Sequence, residues 1–433
     1  MKNIGKAVIF KLLLSVLIFS NTYGQMKTKY EGTLIESKVD YKLVNVKDFG
    51  EGIRKINFKP SSDNSPREPQ YFLKYDISDR KKCNIIDAQS LSFASEDFKN
   101  MDLLFSPECN YYYTRENLGK VDDYTIKARV KFYKTPNIFL WEKEYDTSYE
   151  MEPDCFYISD YNGYVVETNT HTGITKFYNE NGELLNDVDL FEKDIFEREK
   201  GISGIYSADG NYFILQLQGV GSINYSNGTA LILFKSTGEL LWKFEPEESR
   251  TGYKNVAISN DNSFILSFFF NWGDFSGHSV YLHNVNGTLI RKYNKIGLSH
   301  VTFSANNKYA AISFANRFKL INLETGDEVW GRTRYCTGRR NVLDLDISEE
   351  LGIVILAVGE VSIATREQKY NVISNSRIKI VDFTGKTISE VELPDIKNDP
   401  IRSTRTFVSL SENSKKIGLF YGSKYYLYEL QNK

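Results

Sequence analysis

Histidine, methionine and cysteine each occur only four times in 433 residues, and proline nine times. Four histidines leave little material for a His-rich metal site or for multi-step acid–base chemistry. The cysteines, Cys83, Cys109, Cys155 and Cys336, form no Cys-x-x-Cys, so zinc and thioredoxin-like chemistry have no support. Four cysteines allow three pairings, and a chain of this length can bury a large core without any of them. Mostly unbridged, buried thiols are therefore expected. Charge of one sign is also lacking. The chain carries 54 Lys plus Arg against 56 Asp plus Glu, a net charge of −2. A nucleic-acid partner, which calls for a basic surface, is not expected.

Several motifs are missing as well. There is no Gly-x-Ser-x-Gly, no His-Glu-x-x-His and no Walker loop. Gly219–Asn224 (GVGSIN) lies between strand-like runs with no helix to follow, so it is not a dinucleotide loop. Asp187–Asp194 (DVDLFEKD) lacks the glycine and spacing of a calcium loop. Neither a metal nor a cofactor is expected.

The chain is rich in other residues: 29 Tyr, 28 Phe and 29 Gly. Aromatics favour strands and glycine favours turns, so the composition leans all-β. The first 25 residues stand apart. Lys2, Lys6 and Lys11 precede or flank a short apolar run, Leu12–Phe19, and Thr22-Tyr23-Gly24 follows. That is the order of a secretory signal peptide, with cleavage expected near Gly24/Gln25. The run is well short of the roughly 20 residues that span a bilayer, and no later stretch is longer and as apolar, so no transmembrane segment is expected after cleavage. The expected localisation is periplasmic or extracellular. Removal of residues 1–24 takes away three lysines and no acids, leaving a more acidic chain.

A repeat organises the rest. Seven times an apolar-x-apolar-Ser sequence is followed by a short polar turn and an aromatic-rich run, as in GIYSADGNYFI and VAISNDNSFIL. The serines are Ser106, Ser159, Ser207, Ser259, Ser304, Ser348 and Ser411, spaced 44 to 63 residues apart. Each reads as a hairpin, because Asp, Asn and Gly tolerate the backbone that tight turns demand. A second turn follows in the same units, at Gly182, Gly238, Gly287, Gly326 and Gly385, with Thr135-Pro136-Asn137 in its place in the first unit. Two hairpins give four strands per unit.

Four strands per repeat of this length is the pattern of a propeller blade. The Ser-Ala-Asp-Gly turn at Ser207 and the segment INLETGDEVW, Ile321–Trp330, resemble those of WD-repeat-like and quinoprotein-like β-propellers. The resemblance covers residues of about 100–430 and names no family within that fold. A quinoprotein enzyme would carry an adjacent cysteine pair, and none is present. The expectation is an all-β, single seven-bladed β-propeller with four-stranded antiparallel blades over residues 70–433. A 25–69 extension with strand-like segments precedes it. The final unit shows three strands, so an N-terminal strand is expected to complete it and close the ring. Eight blades is the alternative count, because residues 38–46 and 53–58 also read as strands. Pro60–Pro69 reads as a loop.

Four loops are candidate ligand sites. Spacing from repeat serine to turn glycine makes the second-to-third-strand loop longest in the sixth unit, Gly359–Ser376, and next longest in the third, Gln218–Thr229. The fourth-unit loop carries Trp272, Asp274, Phe275 and His278, a set suited to stacking and polar contact. The fifth-to-sixth-unit loop carries Arg332, Arg334, Arg339 and Arg340, which suit a carboxylate, sulfate or phosphate. Asp344 and Asp346 follow at strand alternation, on one face, as partners for those arginines or for a cation. The leading functional expectation is an exported, non-catalytic module that binds a protein, peptide or glycan on its loop-rich face. The alternative is a propeller lyase or glycoside hydrolase, for which Asp274, Asp344 and Asp346 are the nameable carboxylates.

Overall fold

The computed structural model describes residues 39–50, 53–59, 61–75, 82–91, 98–99, 102–123, 125–148, 154–169, 172–190, 200–219, 230–246, 251–271, 279–294, 296, 298–332, 340–362, 371–399 and 406–432. The expected signal peptide lies outside them. No helix among them is long and apolar enough to cross a membrane. The blades belong to one compact unit, Tyr41–Gln431.

The strands form eight sheets. Strand β1 (Val39–Asp48) belongs to the last of them. Blade 1 is β2 to β5 (Ile53–Phe58, Pro69–Tyr75, Lys82–Asp87, Phe98–Lys99). Blade 2 is β6 to β9 (Asp102–Phe105, Tyr111–Lys120, Thr125–Lys134, Ile138–Ser148). Blade 3 is β10 to β13 (Asp154–Ile158, Val165–Asn169, Ile174–Tyr178, Leu184–Asp189). Blade 4 is β14 to β17 (Lys200–Tyr206, Tyr212–Gly219, Ala230–Lys235, Leu240–Phe244). Blade 5 is β18 to β21 (Thr251–Ile258, Phe264–Asn271, Ser279–Asn284, Leu289–Asn294). Blade 6 is β22 to β25 (His300–Phe303, Tyr309–Phe314, Arg317–Asn322, Glu328–Arg332). Blade 7 is β26 to β29 (Arg340–Ser348, Ile353–Ser362, Asn371–Asp382, Thr387–Glu392), with β30 (Ile396–Asp399) added to β28. Blade 8 is β31 to β33 (Thr406–Leu410, Lys416–Tyr421, Lys424–Asn432), with β1 paired to β33. The protein is an eight-bladed β-propeller of four-stranded antiparallel blades, and an N-terminal strand closes the ring.

The leading count of seven is thus corrected to eight, and the residues before 70 supply β1 and β2. The extra blade escapes the repeat because its first hairpin lacks the serine turn. Residues Pro60–Pro69 replace it. That loop does structural work on both sides. Ser61 Oγ donates to Leu410 O (3.0 Å) and Glu412 N–H to Ser62 O (3.3 Å), both contacts to blade 8. Arg67 forms an ion pair with Glu108 of blade 2.

The repeat serines are buried, and each organises its turn. In blade 4, Tyr212 N–H donates to Ser207 Oγ (3.0 Å), and that hydroxyl donates to Asp209 Oδ1 (2.7 Å). Asp209 Oδ1 also accepts Asn211 N–H (3.0 Å). The same arrangement recurs at Ser259/Asp261, Ser304/Asn306 and Ser411/Asn413. The serine hydroxyl is satisfied as donor and acceptor in these turns, which is what allows it to be buried.

These turns also touch their neighbours round the ring. Asn57 Nδ2 reaches Asn110 Oδ1 (2.8 Å), Glu108 N–H reaches Asp160 (2.8 Å), and Asn162 Nδ2 reaches Gly210 O (3.1 Å). Asn262 Nδ2 donates to Asp209 (2.6 Å), Asn260 N–H to Asn307 (3.1 Å), and the Ser348 and Ser414 hydroxyls meet at 2.7 Å. Lys308 and Glu349 pair at 4.0 Å, and the Glu412–Ser62 bond completes the circle. All eight blade junctions carry a polar link at this level.

Apolar clusters fill the space between blades. The second strands face two clusters at once. In β23, Ala310 and Ile312 pack toward blade 5, while Tyr309 and Ala311 pack toward blade 7. A strand buried on both faces reads as a continuous apolar run rather than an alternating one.

The third-to-fourth-strand turns explain the tryptophans. Trp141 of β9 lies under Gly182 of blade 3, Trp242 of β17 under Gly287 of blade 5, and Trp330 of β25 under Gly385 of blade 7. A Cβ on Gly287 would approach Trp242 to 2.9 Å. Asn186 and Arg291 take the tryptophan's place beneath Gly238 and Gly326. In these five cases a residue on the outer strand anchors the turn of the next blade.

Gly385 and Gly352 separate two costs. Both have positive φ, +86° and +60°, but a Cβ at Gly385 would overlap the Trp330 indole, whereas one at Gly352 meets nothing within 4 Å. Gly352→Ala should lose about 1–2 kcal/mol from backbone strain alone. Gly385→Ala adds overpacking and should lose about 2–5 kcal/mol. Chemical denaturation of the two variants measures the difference, and equal losses would mean that the indole contact carries none of it.

Candidate functional site

The sequence-expected sites fall mostly where the structure is silent. Trp272, Asp274, Phe275 and His278 lie outside the described residues, as do Arg334 and Arg339. Arg332 ends β25 and Arg340 begins β26. The third-unit loop from 220 to 229 is likewise outside them. The sixth-unit insertion is not simply a loop. Its flanks continue β27 and β28 as a paired hairpin, Glu360 opposite Ser374 and Ser362 opposite Val372, around residues 363–370 that lie outside the described set.

Asp344 and Asp346 do share a face, but their carboxylates serve the ring. Asp344 Oδ2 accepts Val408 N–H (2.7 Å) and Asp346 Oδ2 accepts Leu410 N–H (2.7 Å), both from β31 of blade 8. Asp344 Oδ1 lies 3.6 Å from His300 Nδ1, and Thr302 Oγ1 approaches Asp346 Oδ1 at 3.3 Å, both from β22 of blade 6. These two acids thus knit the first strands of blades 6, 7 and 8. No group of three or more potential metal ligands occurs among the described residues. Burial pushes the Asp346 carboxyl up to about 6, against the pull of the Leu410 and Ile347 N–H groups, and the charge of Asp344 adds to the rise.

The repeat provides its own reference for finding a site. Eight positions after the repeat serine, on the second strand, the seven units carry Thr114, Glu167, Leu215, Ser267, Ile312, Leu356 and Leu419. One of these is charged. Glu167 of β11 is 7% exposed, a burial that carboxylates adopt only when paired. Its partner is Lys143 of β9, on blade 2. Lys143 Nζ donates to Glu167 Oε1 (2.8 Å), Glu167 Oε2 (2.6 Å) and Tyr178 Oη (3.1 Å). Tyr178 Oη in turn donates to Glu167 Oε2 (2.7 Å). At the corresponding place two residues beyond Trp242, blade 4 has Phe244. The Lys143 place is charged again two residues beyond Trp330, at Arg332, but among the seven serine units only blade 3 puts a charged residue at the Glu167 place.

A cleft of about 260 Å³ opens over this cluster. Lys143, Tyr145 and Asp146 form the wall from blade 2, and Glu167, Asn169, Thr172, Ile174 and Lys176 form the wall from blade 3. Lys176 sits opposite Glu167 in the β11–β12 register, so both side chains share one face. Glu167 already takes Lys143 and Tyr178, and Lys176 makes no ion pair within 4 Å among the described residues. Asp146 likewise has none. The cleft thus has a self-satisfied floor with Lys176 beside it, whereas Asp146 stands opposite Lys127 in the β8–β9 register, on the strand face away from Lys143 and Tyr145. The sequence reading missed it because its parts come from two repeats. The signal it left was a glutamate interrupting VVETN, a strand that should read apolar.

No protein-family model matches the sequence, and no curated protein matches it. Solved structures similar in fold include a eukaryotic initiation factor, at 13% identity and TM-score 0.45, with 80% of this chain and 91% of that one covered. A chain of the mitotic checkpoint complex aligns at 10% identity and TM-score 0.38 over 93% and 96%. The β-propeller domain of Cps50 (Swd1) from Myceliophteria thermophila aligns at 11% identity and TM-score 0.39 over 76% and 97%.

Two stability measurements follow. A buried ion pair is often replaceable by apolar groups of similar volume, whereas removing one partner strands a charge. Lys143→Met should therefore lose about 2–3 kcal/mol, discounted for the partial exposure of Lys143, and the double change Lys143→Met/Glu167→Leu should recover most of it. A double variant as unstable as the single would show that the pair is kept for stability.

For Asp346 the sign is set by its raised folded value. The folded chain holds that proton at pH values where the unfolded chain has released it, so this contribution is fully present at low pH and is lost as pH rises through about 6. His283 opposes it. Its ring is buried against Trp242, Phe244 and Tyr281, and burial lowers it to about 4, so its contribution is lost as pH falls. The comparison must therefore be between parent and Asp346→Asn. Relative to that variant, the parent should gain about 1.4 kcal/mol between pH 7 and pH 5 in denaturant titrations. A constant difference across that range contradicts the assignment.

Proposed function

We propose that the protein is an exported, non-catalytic recognition module that binds a protein, peptide or glycan, with the cleft between blades 2 and 3 as one contact point. The observation that carries this reading is the charged cluster at that interface. It puts a charge at a second-strand position that the other six serine units leave uncharged, and it underlies an open polar recess rather than a sealed core. The leader-like residues 1–24 support export. The ring supplies a rigid frame, and rigidity lowers the ordering cost of binding.

A hydrolase would need two carboxylates facing one cleft, and Asp146 lies with Glu144 on the far face of β9, which leaves Glu167. Both oxygens of Glu167 are held by Lys143 and Tyr178, an arrangement that holds a shape and has no free group to pass a proton. Recognition is the better fit.

Envelope extract passed over the immobilised chain is the test. The parent should retain a discrete macromolecule that the folded Lys143→Met/Glu167→Leu variant retains at least tenfold less well. Equal retention by both removes the cleft from the function. Deleting Gly359–Ser376 is a poor substitute, because Ile373 and Ser376 of that segment are buried in blade 7.

A further inference from the structure

We propose that two copies of the chain pair through the outer edge of β1, antiparallel and centred on Asn45. The partner is a second copy of this protein, and it is selected by the pattern of charge along the strand.

An outer strand presents unpaired N–H and C=O groups on the side away from its blade. In the sheet order of blade 8, β1 is such a strand, with β33 on its inner side and, among the described residues, nothing on its outer side. The outer strands of the other blades are less open to pairing. Strand β5 has two residues, and those of blades 3 to 7 have five or six. Strand β9 is as extended, eleven residues against ten, but the exposed residues along its middle are Glu142, Glu144 and Asp146. Strand β1 instead exposes Leu43, Val44 and Val46 at its middle. A long edge strand with an apolar centre is a template for another strand.

Two-fold symmetry limits how β1 can meet its own copy. In an antiparallel pair, directly opposed residues turn their hydrogen-bonding groups the same way, both toward the partner or both away. A symmetric pairing must therefore centre on one residue facing itself. With Val44 at the centre, Asp40 meets Asp48 and Lys42 meets Val46. With Val46 there, Asp48 meets Val44. With Leu43 there, Lys42 meets Val44 and no charges pair. With Asn45 there, Lys42 meets Asp48, Val44 meets Val46 and Leu43 meets Lys47, each of them twice. Opposite charges across a strand pair are stabilising and like charges destabilising, so the Asn45 register is selected.

Alternation puts Lys42, Val44, Val46 and Asp48 on one face. That face of the joined sheet then carries four valines between two Lys–Asp pairs. On the other face, the methylenes of Lys47 can lie along Leu43. The charges are available for this. Lys42 makes no ion pair within 4 Å among the described residues. The Asp48 carboxylate, 57% exposed, meets Lys424 at 3.7 Å and accepts Gly50 N–H at 2.9 Å. The contact uses the same patch on both copies and closes on itself, so it stops at a dimer. One strand per copy is a small interface, so the association is weak, reversible and concentration-dependent.

The test is sedimentation equilibrium of the chain over a wide concentration range. The parent should show a monomer–dimer equilibrium. Lys42→Asp and Asp48→Lys, each alone, set like charges against each other twice and should weaken association tenfold or more. The two changes together restore opposite charges in the Asn45 register and should recover most of the loss. Val44→Lys should also separate the copies. All three residues are exposed, so the fold is not at risk, and unchanged denaturation midpoints verify this. A parent that stays monomeric throughout overturns the proposal. So does a dimer that none of the substitutions weakens, which would use another surface. Single variants that weaken the dimer without recovery in the double variant overturn the register.

Discussion

Ring closure by β1 is the constraint on which the remainder rests. A propeller whose last blade lacks its outer strand exposes an unpaired edge and leaves one interface half filled. Here β1 supplies that strand, and both of its ends are fastened. Tyr41 Oη donates to Glu390 O of blade 7 at 2.6 Å, and its ring meets Tyr428 edge-on at 6.1 Å. Phe49 packs against Phe72 of blade 1 at 4.7 Å and Phe420 of blade 8 at 6.4 Å. One strand thus touches three blades. Between the two anchors Leu43, Val44 and Val46 are exposed, so the strand is held by its ends and by its pairing with β33.

With the ring closed, every interface obeys the same packing rule, and exceptions become informative. Second strands are largely apolar on both faces because a cluster presses on each, although β15 buries Gln216 completely. Two groups of charged exceptions stand out. Asp344 and Asp346 cap backbone N–H groups of the neighbouring first strand, which makes them part of the ring. Glu167, Lys143 and Tyr178 satisfy one another and leave a cleft above them, a surplus that ring closure does not require. A repeat protein therefore carries its own comparison set, and the function is sought where one unit differs from the others.

Much of the fold was legible in the sequence. The seven serine turns and the turn glycines could be read from local pattern, because each depends on residues close together in the chain, and the closing N-terminal strand followed from a final unit of three strands. Blade 1 stood outside the serine repeat, since Pro60–Pro69 replaced the serine turn. The sixth-unit insertion read as a loop and proved to extend a hairpin, because its strand-like flanks surround a polar middle. The cleft was the least legible feature. Lys143 and Glu167 belong to different repeats, and only the packing of blade 2 on blade 3 brings them together. Asp344 and Asp346 were placed on one face correctly, but their partners on β31 lie more than sixty residues away.

The most direct measurement of the account is hydrogen exchange on the chain carrying Tyr41→Ala and Phe49→Ala together. If β1 closes the ring through its two ends, protection should fall on β33 and also on the flanking strands β29 of blade 7 and β3 of blade 1. Protection lost from β1 alone, with β29, β33 and β3 unchanged, would contradict the claim that the other blades depend on this strand.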